Sequence, residues 1–111
     1  MDLPEHVLPA STQVAALSRQ VQSAGGFATV LHKGNNWGSA LLLVHRSGPN
    51  LKAYEKVPSF DGQAQWRLAA EGDSAVEKFV AAQQRFDTDL WVLELDIADV
   101  ARFVPGLSAQ A

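Results

Sequence analysis

No cysteine occurs anywhere in the 111 residues. Small secreted domains often rely on disulfides, so this absence favours the cytoplasm. It also excludes a four-cysteine zinc site and a cysteine nucleophile. No stripe of positive charge appears either. The 9 basic and 12 acidic residues give a net charge of -3, whereas a nucleic-acid binder needs clustered cations to neutralise phosphates. Lys52 and Lys56 come nearest, and two lysines on one strand make a solvated face. Nucleic acid is therefore not expected as a partner. Long apolar runs are missing too. The longest, Ala40 to Val44, falls far below the roughly 18 residues that suggest a membrane span. The start, Met-Asp-Leu-Pro-Glu-His, lacks the basic and apolar regions of a signal peptide. A soluble cytoplasmic protein without membrane contact is the expectation.

What is present suits one packed domain spanning residues 1–111, with a loose arm over 1–8 and a loose tail over 107–111. Apolar residues make up 47% and charged residues 19%, a composition that builds a core instead of staying disordered. From Pro9 the pattern is helical. Val14, Leu17 and Val21 recur at helical spacing, and Gly25-Gly26 stops the helix. Strands are expected over Phe27–Lys33, Ser39–Arg46, Leu51–Val57 and Gln65–Ala69, separated by short glycine- and proline-bearing turns. Pro58 to Gly62 reads as a loop. Ser74 with Glu77 fits a capping box for a helix that ends near Phe86. Leu90–Leu95 is a fifth strand, and a short helical turn ends at Pro105-Gly106. The order α-β-β-β-β-α-β plus a short C-terminal helix predicts an α+β fold. Its sheet would be an antiparallel meander of about five strands with two main helices.

Three stretches bear on chemistry. If each hairpin pairs symmetrically, Leu42 lies beside Glu55 and Glu55 beside Trp66. That leaves one carboxylate on a face with Leu51, Ala53 and Val57. Such a group must be paired, hydrogen-bonded or protonated. Arg46 is an available partner. Glu55 then reads as a ligand anchor or acid-base group, or as one end of a strand-end salt bridge. A register slipped by one residue would move it to the other face. The second stretch runs Arg85 to Glu94. Asp87 and Asp89 break helix from strand, with Trp91 and Glu94 just beyond. Three carboxylates this close suit a hard cation, though aspartates in such breaks more often cap loop N–H groups as Asx-turns. The third, Lys33 to Gly38, has its lysine before the glycines and a strand after them. A phosphate-binding loop needs the reverse order, so a turn with an aromatic plug explains it. His32 and His45 fall on opposite faces, and no metal or cofactor is implied. No nucleophile elbow or zinc-protease helix motif appears, so the chain leans away from being an enzyme.

Phe27, Leu31, Leu41, Leu43 and Tyr54 share the second face of the expected sheet. If both helices cover the other face, this one needs a partner, and a homodimer is the simplest. One helix on each face, or cover from Val100–Leu107, would remove that need.

The run Ala24 to Gly34, Gly38 with its apolar strand, Glu55, Trp66, and above all Phe86-Asp87-Thr88-Asp89-Leu90-Trp91-Val92-Leu93-Glu94 resemble domain-of-unknown-function family 1491. The resemblance covers roughly Val14 to Asp96. It implies a small bacterial cytoplasmic protein of the alphaproteobacteria, encoded alone, and it carries over no catalytic residue. Two functions follow from the residues. The first is a non-catalytic protein-binding or self-associating module, working as a homodimer or with a protein partner through an apolar sheet face. The alternative is a small-molecule binder or minor hydrolase, with Arg46, Glu55, Arg67 and Asp89 converging near Trp66 and Trp91.

Overall fold

The computed structural model describes residues 8–57 and 65–107; the expected loop at Pro58 to Gly62, the arm up to residue 7 and the tail from residue 108 lie outside them. The chain runs α1 (Ala10–Ser23), β1 (Phe27–His32), β2 (Leu41–Ser47), β3 (Asn50–Val57), β4 (Gln65–Glu71), α2 (Asp73–Phe86), β5 (Trp91–Asp96) and a 3-10 turn at Val100–Arg102. No helix among the described residues is long and apolar enough to cross a membrane.

Local signals explain where the helices begin and stop. Pro9 precedes α1, and the freed amide of Ala10 donates to the Gly38 carbonyl at 2.8 Å. At the other end, Gly25 takes φ 92°, which only glycine adopts without strain. The Gly26 amide then reaches Val21 and that of Gly25 reaches Gln22, closing the helix with a Schellman pair. The capping box expected at Ser74 and Glu77 does not form. Gly72, at φ 98°, is the N-cap of α2, and no side chain caps it. Ser74 therefore falls within the first turn, where its hydroxyl is past the amides a cap serves.

The sheet is mixed, in the order β1-β5-β2-β3-β4. The expected meander is corrected here: β5 enters between β1 and β2, antiparallel to the first and parallel to the second. The reason is burial. Leu41 to Val44 of β2 and Val92, Leu93 and Leu95 of β5 are all buried. Strands apolar on both sides belong at the centre of a sheet, against each other. β2 and β3 pair as expected, with Leu42 opposite Glu55.

One helix lies on each face. On the first face, Leu41, Leu43, Tyr54, Trp66, Leu93 and Leu95 pack beneath Ala10, Val14 and Val21 of α1 and beneath Val100, Val104 and Leu107. On the second, Leu42, Val44, Leu51, Ala53 and Val92 meet Val76, Phe79 and Val80 of α2. Leu41, Leu43 and Tyr54 are thus covered from within the chain, whereas Phe27 and Leu31, expected on the same face, remain exposed on β1.

Candidate functional site

Helix α2 packs on β3 and β4. It also covers Leu42 and Val44 of β2 and Val92 of β5, so that face stays open only toward β1, where Phe27 and Leu31 are exposed. An open groove of about 490 Å³ runs between α2 and this side of the sheet. Leu31, Val44 and Leu51 line its sheet side, and Val76, Val80 and Ala81 line its helix side. Asp73, Glu77 and Gln84 recur along α2 at helical spacing and add polar groups. On the sheet, Glu94 stands opposite Val44, and Arg46 opposite Asp96. Arg46 Nε lies 3.6 Å from Glu94 Oε2, with the two side chains 36% and 21% exposed. A half-wet pair of this kind contributes well under about 1 kcal/mol. No serine, histidine or tyrosine lines the groove. It can hold an aliphatic body and discriminate charge through Arg46, Asp73, Glu77 and Glu94.

Arg46 and Glu94, both singled out from sequence, therefore meet in one site. The others do not join them. Glu55 pairs with Arg67, its cross-strand neighbour, and not with Trp66. The cause is the register of the β3–β4 hairpin, which pairs Val57 with Gln65 and so lies one residue from the symmetric pairing. Farther along, Ala53 faces Ala70 while Tyr54 faces Leu68, which leaves Ala69 as a bulge in β4. Trp66 falls opposite Lys56, whose Nζ sits 5.3 Å from the indole centroid, on the first face with Tyr54. Burial of Tyr54, reinforced by the charge of Glu71, raises its phenol above the ordinary tyrosine value.

Asp87, Asp89 and Trp91 belong to a structural latch. The Asp87 carboxylate accepts the Asp89 amide at 2.9 Å, which is the Asx-turn. The Asn35 amide donates to the Asp89 carbonyl, and the Asn35 carbonyl accepts the Trp91 indole N–H at 2.8 Å. Gly34 runs so close that an added Cβ would meet the Asp89 carbonyl oxygen at 2.1 Å. Lys33 to Gly38 is thus a turn keyed into the Asp87–Leu90 loop, with the Trp37 side chain left exposed. Among the described residues, no group of three or more His, Asp or Glu side chains is placed to hold a metal. His32 Nδ1 donates to the Leu90 carbonyl and His45 Nε2 to the Ile97 carbonyl. Both of these rings are thus used in holding loops.

Sequence reasoning missed Leu31, Asp73, Glu77 and Gln84. The helical spacing of the last three was visible in the sequence. The strand they face was not, because the position of β5 decides it.

A sequence model of a family described as a protein of unknown function, DUF1491, matches residues 8–105. A protein from A. tumefaciens solved in solution is 27% identical, with a TM-score of 0.79 over 95% of this chain and 98% of that one. An NMR structure of a DUF1491 family protein from Caulobacter crescentus is 25% identical, with a TM-score of 0.75 over 89% of this chain and 94% of that one. A crystal structure of a DUF1491 family protein from the same organism is 23% identical, at a TM-score of 0.77 over 89% and 95%, and shows the shared fold. No protein with a curated description matches.

Proposed function

The chain belongs to the DUF1491 family, and on that footing we propose that it is a non-catalytic protein-binding module of the bacterial cytoplasm. In this reading it takes up an extended partner segment along the outer edge of β1. The observation that carries the reading is the character of that edge. β1 ends the sheet, its six residues Phe27–His32 include no carboxylate, ammonium or guanidinium, and Phe27, Val30 and Leu31 are 70%, 44% and 49% exposed. Open apolar edges are templates for strand addition, and proteins usually blunt them with charge, bulges or cover. β1 has a bulge at Leu31 and no charge, whereas the opposite edge, β4, has all three. It carries Arg67 and Glu71, it bulges at Ala69, and its Trp66 amide is taken by the Gly106 carbonyl.

The homodimer expected from sequence moves with this reading, from the covered sheet face to the β1 edge, where two copies would pair strand to strand. The test is a titration of ¹⁵N-labelled protein with an octapeptide of alternating valine and threonine. Expected are shifts confined to β1 and its neighbours, with slowed exchange of β1 amides. Shifts scattered over the surface would sink the reading. Light scattering across a dilution series separates self-pairing from partner binding.

A further inference from the structure

We infer that the groove beside β1 selects the added segment, admitting one that carries a basic side chain among aliphatic ones. This deepens the strand-addition reading and rests on it. The groove is continuous with the edge, because Leu31 belongs to both. Leu31 is also the bulged residue of β1: Val30 faces Leu93 while His32 faces Val92, so Leu31 is extra and lines the groove with Val44 and Val80. A segment laid against β1 would send alternate side chains over this groove.

Charge decides which side chains fit. The lining residues include Asp73, Glu77 and Glu94 but only one cation, Arg46, which is already turned to Glu94. Two carboxylates are in excess, and Asp96 follows Glu94 on the same face. An acidic segment would be repelled at each of these positions, whereas a lysine or arginine gains a partner for its head group. Its aliphatic stem lies along apolar surface in the manner usual for long cationic side chains. Reach permits it. Thr29 of β1 stands opposite Glu94, so a residue added beside Thr29 is two strand spacings, or about 10 Å, from the Glu94 backbone. A lysine and a glutamate extended toward each other span that gap.

The test uses the ¹⁵N-labelled full chain with two octapeptides, valine alternating with lysine and valine alternating with glutamate. The lysine peptide should shift the amides of β1 together with those of Glu94 and Glu77, and should bind about tenfold more tightly than the glutamate peptide. That preference should shrink in Glu77→Gln, at an exposed helix position, and nearly vanish in Glu77→Gln/Glu94→Gln. Equal affinity for the two peptides, or a preference untouched by both variants, overturns the groove assignment while strand addition stands. If neither peptide nor the valine–threonine peptide moves β1, both fall together.

Discussion

The two faces of this sheet are closed to different degrees. The first is roofed by α1 over β1 and β5 and by Val100, Val104 and Leu107 over the remainder. The second is roofed by α2 over β3, β4 and the buried Leu42, Val44 and Val92, and stays open toward β1. One helix of 14 residues lies on each side, so helix length does not make the difference. The C-terminal segment does, because it adds a second covering piece to one face and not to the other. An apolar surface left half covered is where a domain meets something else.

Substitutions should grade along this contrast. The largest effect is expected at Leu95→Ala, fully buried on the roofed face, which should lower stability by about 4 kcal/mol in urea unfolding. Gly34→Ala should follow at about 3 kcal/mol, because the new Cβ meets backbone at Asp89 that cannot swing aside. Equal stability of that variant and wild type would mean that the latch between the loops is loose.

Tyr54 sharpens the comparison through pH. Its folded value is raised above the ordinary 10.0, first by burial and then by Glu71. The proton is held more tightly in the folded state, so this stability is fully present below pH 10 and is lost as pH rises through the folded value. Tyr54→Phe should flatten the alkaline limb of the stability profile, read as urea midpoints at pH 8 and pH 11. A variant whose limb stays as steep as wild type would remove Tyr54 as its source. The smallest effect belongs to the open half. Leu31→Ala, half exposed at the groove rim, should change stability by no more than about 0.5 kcal/mol. A loss of 2 kcal/mol or more, on the scale of a core truncation, would show that the groove is closed in solution.

Much of the local structure was legible. The apolar spacing of Val14, Leu17 and Val21 marks α1, and the glycines after it mark its end. Five strands and the turn between Ser47 and Asn50 also read correctly, as did the pairing of Leu42 with Glu55. Strand order was not legible. Short loops favour neighbours in sequence as neighbours in space, yet Val92, Leu93 and Leu95 are apolar on both sides of β5 and demand the centre. The candidate site suffered from the same nonlocality. The β3–β4 hairpin pairs one residue off the symmetric register, so Glu55 meets Arg67 and Trp66 meets Lys56 on the other face, and nothing in the local residues marks that slip. Arg46 and Glu94 were each noted, but their meeting depends on β5 lying beside β2.

The placement of β5 also sets the order in which the fold can assemble. Four strands and both helices precede it along the chain, yet β1 has no neighbour in the sheet but β5. Until β5 is made, β1 has α1 to pack against but no strand to pair with, while β2, β3, β4 and α2 can associate. The newborn polypeptide must keep a gap open and receive a largely buried strand last, and loop closure of that span is slow. Aggregation before release, more than unfolding afterward, is the hazard this topology creates.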